Sequence, residues 1–99
     1  MKNKILNLLG LATRARKVIL GEEFVLKQMK NTNLNVFLAS DAGENITKKI
    51  INKAYTFNCT VINQFTTDEL SKAIGKENRK VMIIDDRGFN KKITEYLNS

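Results

Sequence analysis

Two short runs do most to restrict what this chain can become: LNVFLA at residues 34 to 39 and KVMIID at residues 80 to 85. Each sets apolar side chains side by side, without the alternation of a strand that is wet on one face. Such runs suit strands covered on both faces. The intervening segments carry helical spacing. Ile5, Leu8, Leu9 and Ala12 form one stripe. Val25, Leu26 and Met29 form another over residues 22 to 30, with Lys27 and Lys30 facing outward. Ile46, Ile50, Ala54 and Phe57 mark a third helix, and Phe89, Ile93, Tyr96 and Leu97 a last one. Thr66 followed by Glu69 has capping-box spacing for a helix through Leu70, Ala73 and Ile74, and Gly75 stands where its C-cap is expected. KVIL (17 to 20) and TVIN (60 to 63) read as shorter strands. Helices thus alternate with strands throughout, which predicts an α/β fold layered around a central sheet.

Ninety-nine residues without proline, repeat or low-complexity tract predict a single domain over 1–99. A chain of this length buries roughly 65% of the surface its unfolded form exposes. No segment approaches the ~20 consecutive apolar residues of a membrane helix. The N-terminal MKNKILNLLGLATRARK has a passing likeness to a secretory signal. Its apolar stretch is broken by Asn7 and Gly10, and arginines follow where a cleavage site would need small residues. The expectation is an amphipathic helix of a cytoplasmic, monomeric protein with no membrane association.

Little in the chain points to catalysis. Histidine is absent, which removes the commonest neutral-pH acid-base group and metal ligand. Cys59 is the only cysteine, so no intrachain disulfide can form. Phe65 stands where a phosphatase-type loop would place an arginine, and Cys59 reads as a buried core thiol. Asp85 and Asp86 end a buried strand, a position used by active sites of α/β sheets. The simpler reading is that one of them caps the last helix. Asp41 and Glu44, flanking Gly43, could hold a cation, but a helix start at 44 to 46 accounts for both. A small enzyme with an Asp41/Asp85/Asp86 site stays a lesser alternative, and no enzyme, cofactor or metal is expected.

The charge is more telling. Seventeen Lys and Arg against ten Asp and Glu give +7, and residues 1 to 30 hold seven of the cations with only two anions. So lopsided a balance suggests a polyanionic partner, although a basic surface that is merely solvated would look the same. The most basic stretch, RARKVILGEEFVLK (14 to 27), is interrupted by Gly21, Glu22 and Glu23. Gly21 permits a tight strand-to-helix turn, and the two glutamates favour the positive end of a helix. That account leaves unexplained why Arg14, Arg16 and Lys17 crowd one side of the turn and Lys27 the other. A nucleic-acid contact would use both: cations neutralise phosphates, helix-start amides bind further oxygens, and a carboxylate accepts from a base edge.

LLGLATRARKVILGEEFVLKQMK together with ELSKAIGKENRKVMIIDDRGF resembles the kink-turn-binding ribosomal protein superfamily, of the archaeal L-seven-A-e and eukaryotic L-thirty-e types, and within it the bacterial YlxQ-like branch. The likeness runs from about residue 4 to 97. It implies a single-domain three-layer α-β-α sandwich with a mostly buried mixed sheet. It also implies a non-enzymatic, ribosome- or translation-associated protein that binds structured RNA, a kink-turn or related internal loop. Gly21 matches the glycine that precedes the family's base-reading turn, Lys27 a basic residue further along the helix, and Lys17 a lysine frequent before the strand. Residues 75 to 80 match the loop that closes over the bent RNA, and Asp41 lies at the other flank of that face. The family usually reads sheared G·A pairs with Asn or Lys and then Glu or Gln, where this chain has Glu23 and Phe24. A phenyl ring accepts no hydrogen bond from guanine, but it could stack or be core. Glu23 could supply the missing acceptor. The implied RNA contacts are Arg14, Arg16, Lys17, Gly21, Glu22, Glu23, Lys27, Asp41, Lys76, Asn78 and Arg79. A protein-protein adaptor on the same fold, with drifted RNA specificity, is the alternative, and an exposed Phe24 would favour it.

Overall fold

The computed structural model describes residues 2–30 and 34–99. In chain order the elements are α1 (Lys2–Arg14), β1 (Val18–Leu20), α2 (Glu22–Gln28), β2 (Asn35–Leu38), α3 (Glu44–Phe57), β3 (Thr60–Ile62), α4 (Thr67–Ile74), β4 (Val81–Ile84) and α5 (Arg87–Leu97). The four strands form one mixed sheet in the order β1-β4-β2-β3. β4 is antiparallel to both β1 and β2, while β2 and β3 are parallel.

The two continuous apolar runs become the two central strands, and every residue of β2 and β4 is buried. Strand side chains alternate between faces, and the core divides accordingly. Phe37, Met82 and Ile84 point into a cluster with Ile5, Leu9 and Ala12 of α1, Leu70 and Ile74 of α4, and Ile93 of α5. Val36, Leu38, Val81 and Ile83 point the other way, onto Val25 and Met29 beside Ile50 and Ala54 of α3. The result is an α-β-α sandwich, with α1, α4 and α5 on one face and α2 and α3 on the other. Each fully buried Leu, Ile, Val, Met or Phe contributes about 1.5–3 kcal/mol, so the central strands and their facing stripes dominate cohesion. The edge strands are shorter and wetter: β1 is half-buried throughout, and only Ile62 of β3 is buried.

Local signals behave as their chemistry requires. Thr66 and Glu69 form the capping box of α4, and Gly75 ends that helix in the left-handed conformation at φ 72°. Asp86 caps α5, its Oδ2 accepting from the Phe89 N–H at 2.9 Å. Three expectations need correction. α2 ends at Gln28 rather than at residue 30, although Met29 still turns into the core. Cys59 is only half-buried, because it lies just after α3 at the margin of the α2/α3-side cluster. Burial raises its thiol pKa, so the thiol stays protonated at neutral pH. Asp41 does not serve the start of α3, whose N-cap is Gly43, but the start of α4.

The sheet and α5 are joined through a buried pair the apolar pattern conceals. Asn35 opens β2 with its backbone N–H donating to Asn90 Oδ1 at 3.2 Å, and its Nδ2 donates to the Asn90 carbonyl at 3.0 Å. Asn90 Nδ2 in turn donates to the Ile84 carbonyl at 2.8 Å. Two amides that would each be costly to bury alone satisfy one another.

Candidate nucleic-acid interface

Strand direction decides which loops meet. Leu20, the end of β1, pairs with Met82 near the start of β4, and Leu38, the end of β2, pairs with Val81. Gly21, Ala39 to Asp41 and Lys80 therefore emerge at one end of the sheet. The emerging chains are stapled there. The Ala39 N–H donates to the Lys80 carbonyl and the Ser40 N–H to the Phe65 carbonyl, both at 2.8 Å.

At this end Gly21 adopts φ 97°, a conformation that disfavours any side chain, and α2 departs from it without a side-chain cap. Its first turn presents Glu22, Glu23 and Phe24. Glu22 is tied across to α3 by Lys49, whose Nζ donates to Oε2 at 3.1 Å. Glu23 faces Lys27 one turn on, at 3.8 Å. Phe24 is 61% exposed, so it is not core. Lys27 Nζ stands 5.9 Å from the centre of its ring.

The loop of residues 75 to 80 borders the same end and is shaped by a buried serine. Ser71 Oγ accepts the Arg79 N–H at 2.8 Å, and the Ser71 carbonyl accepts the Lys76 N–H at 2.9 Å. Asn78 sits at φ 53°, its Oδ1 accepting from Lys80 Nζ at 2.8 Å. Lys76, Asn78 and Arg79 are thereby held outward and exposed. Across a shallow cleft from Lys76 and Asn78 lies Asp41. One oxygen of Asp41 accepts from both the Thr67 N–H at 2.9 Å and the Thr67 hydroxyl at 2.7 Å. These bonds, with the charge of Lys80 adding to them, hold its carboxyl below the ordinary aspartate value of 3.8.

Arg14, Arg16 and Lys17 lie elsewhere. They precede β1, whose first residue Val18 pairs with Ile84, and the Asp85 N–H donates to the Lys17 carbonyl at 2.7 Å. Arg16 and Lys17 therefore occupy the opposite end of the sheet from Gly21, while Arg14, at the end of α1, lines a cleft with Glu69 and Lys72 of α4. The chain turns there through paired bonds, Lys17 N–H to the Ala12 carbonyl at 2.9 Å and Arg16 N–H to the Thr13 carbonyl at 3.0 Å. This is a Schellman turn with Arg16 in the left-handed position at φ 61°. Among the described residues none of the three cations has an ion-pair partner within 4.0 Å. Lys27 and Lys49, by contrast, are paired with Glu23 and Glu22.

The same antiparallel register dismantles the carboxylate alternative. Asp41 follows the end of β2, whereas Asp85 and Asp86 follow the end of β4, so the three lie at opposite ends. Asp85 accepts from Gln28 at 3.0 Å. Among the described residues no group of three potential ligands is arranged to hold a metal ion, and no helix is long and apolar enough to cross a membrane. Lys49 and Ser71 were not singled out from the sequence. Their partners, Glu22 and Arg79, are 27 and 8 residues away, and no local pattern marks either contact.

No protein-family model matches the chain. Two curated relatives do. The RNA-binding protein YlxQ of Enterococcus faecium is 40% identical over 97% of this chain and 93% of its own. That of Bacillus subtilis is 38% identical over 91% of each. Among solved structures, a Bacillus halodurans protein of unknown function superposes with a TM-score of 0.87 at 37% identity, covering 97% of this chain and 98% of that one. The Giardia lamblia 15.5kD RNA binding protein superposes with a TM-score of 0.82 over 98% of this chain and 87% of its own, at 16% identity, a likeness of fold.

Proposed function

The chain belongs to the YlxQ family of RNA-binding proteins, and we propose on that basis that it recognises kink-turn-like bent RNA without catalysing a reaction. The observation that carries this reading is the meeting of Gly21, the start of α2, Asp41 and the 75 to 80 loop at one end of the sheet. An RNA bent across that end is gripped from both sides: α2 reads its bases while Lys76 and Arg79 hold its phosphates. Glu23, exposed beside Gly21, offers two carboxylate oxygens to a guanine edge. Asp41 shapes the rim through Thr67 more than it binds. Arg14, Arg16 and Lys17, without an ion-pair partner among the described residues, hold the phosphates of a flanking helix. By binding the bent conformation more tightly than the open one, the protein shifts the RNA toward the bend. It does so as a monomeric single domain in the cytoplasm, in association with the ribosome or with translation.

The test is a titration against a kink-turn RNA and a copy with its G·A pairs replaced, both at about 0.15 M salt to suppress nonspecific attraction. The expected preference is tenfold or more, about 1.4 kcal/mol, and Glu23→Ala removes about 1–3 kcal/mol from the favoured RNA alone. Equal, weak, salt-sensitive binding of both RNAs sinks the reading. One observation favours a second one, an adaptor that contacts another protein: Phe24 is 61% exposed.

A further inference from the structure

From the placement of Phe24 we infer that it is a stacking platform for a nucleobase exposed at the bend of the bound RNA, beside the hydrogen bonding that Glu23 offers. The inference rests on the RNA-binding reading above and names what the site takes.

Three observations meet at this side chain. First, the protein leaves the ring in water. Phe37 and Phe65 are fully buried, whereas Phe24 is 61% exposed, and leaving so large an apolar side chain unburied forgoes a favourable transfer term. Second, the ring leans over the turn. A Cβ at Gly21 would stand 3.7 Å from Phe24 Cδ2, so any side chain there would lie against the ring. The ring therefore sits directly at the turn around which the proposed site is built. Third, the surroundings are ionic. Lys27 Nζ is 5.9 Å from the ring centre and Glu23 lies beside it, bridged to the same lysine at 3.8 Å.

The ionic collar chooses between the two classes of partner an exposed phenyl could serve. The core of a protein interface is depleted of charged groups, and a ring hemmed by Glu23 and Lys27 offers no such patch. A nucleobase brings its own phosphate, which suits Lys27, and its flat face suits the ring. Stacking is tolerant of sequence, since every base has a π-face. The resulting preference is for an unpaired base presented at a bend, a purine above a pyrimidine because its stacked area is larger.

The experiment uses the full chain and a kink-turn-like RNA carrying 2-aminopurine at its unpaired positions in turn, together with copies made abasic at the same positions. Circular dichroism and a thermal melt confirm that the exposed-site variants are folded. At one position, wild-type protein is expected to quench the fluorophore. Phe24→Leu, which keeps an apolar side chain and loses the π-face, is expected to bind at least tenfold more weakly and not to quench. Phe24→Trp is expected to retain both. The abasic RNA should weaken wild type by a similar factor and erase its advantage over Phe24→Leu, as a coupled pair requires. If Phe24→Leu binds the intact RNA as wild type does, or if the abasic change costs both proteins equally, stacking is overturned while RNA binding stands, and a protein contact becomes the use of the ring. If wild type binds none of these RNAs above the level set by charge, the functional reading falls and this inference with it.

Discussion

Arg16 occupies a left-handed position, φ 61°, at the end of α1 where glycine is the unstrained residue. A non-glycine residue there costs on the order of 1 kcal/mol or more, and its exposed guanidinium makes no ion pair among the described residues that would offset the strain. A side chain kept at a cost to stability is expected to act in binding. Arg16→Gly should therefore raise stability by about 0.5–1 kcal/mol, read by chemical denaturation, while lowering RNA affinity. Loss of stability would mean the side chain supports the fold. Asp41 shows the reverse economy, a charged group spent on structure. Hydrogen bonds from Thr67 depress its pKa below 3.8, so its folded-state value lies under its unfolded one. Such a group stabilises the fold above its unfolded pKa, and that stabilisation is lost as pH falls through the folded value. Asp41→Asn should accordingly be less stable than wild type at neutral pH. The gap should close as pH drops below about 4, and a gap independent of pH would assign Asp41 a different part.

Gly10 shows how the elements constrain one another. It lies in the middle of α1, where alanine would favour the helix by up to about 1 kcal/mol. A Cβ at that position would meet the Ala73 carbonyl oxygen of α4 at 2.8 Å, a backbone atom that cannot rotate away. Overpacking of this kind costs about 1–3 kcal/mol, so the clash outweighs the propensity. Gly10→Ala should lower the melting temperature by several degrees, at about 4–8 °C per kcal/mol for a domain of this size, and an unchanged melt would mean that α1 and α4 slide apart freely. The sequence marks Gly10 only as a break in an apolar run. By contrast the α4 capping box and the Gly75 cap are readable beforehand, and the cap of α5 is narrowed to Asp85 or Asp86, since the geometry of such caps is set locally by the helix. Ser71 is not readable. It occupies an interior helix position and acquires its work only when Arg79 folds back onto it.

Taken whole, the molecule is nearly isotropic, 27 × 26 × 25 Å, with cations at both ends of a sheet whose strands are three or four residues long. Arg16 and Lys17 stand at one end and the Gly21 turn at the other, with Lys17 and Gly21 about 13 Å apart along β1. That separation predicts a division of labour. Replacing Arg14, Arg16 and Lys17 together by glutamine should flatten the dependence of log affinity on log salt by about 2–3. It should leave the ratio of affinities for bent and altered RNA unchanged, and a fall in that ratio would place these cations in the reading of the motif. The alternation of buried runs with helical stripes was enough to establish the α/β class and the two central strands, because burial on both faces leaves a pattern in consecutive residues. It was also enough to mark the Gly21 turn, since a glycine between a β-prone run and a glutamate-led helix has few other uses. The distribution of the cations, the exposure of Phe24 and the separation of Asp41 from Asp85 and Asp86 were decided in three dimensions. They follow from the antiparallel direction of β4 and from the packing of α2 beside α3. Strand direction and helix neighbourhood are set by the summed burial of residues far apart in the chain, and no single stretch of sequence contains that sum.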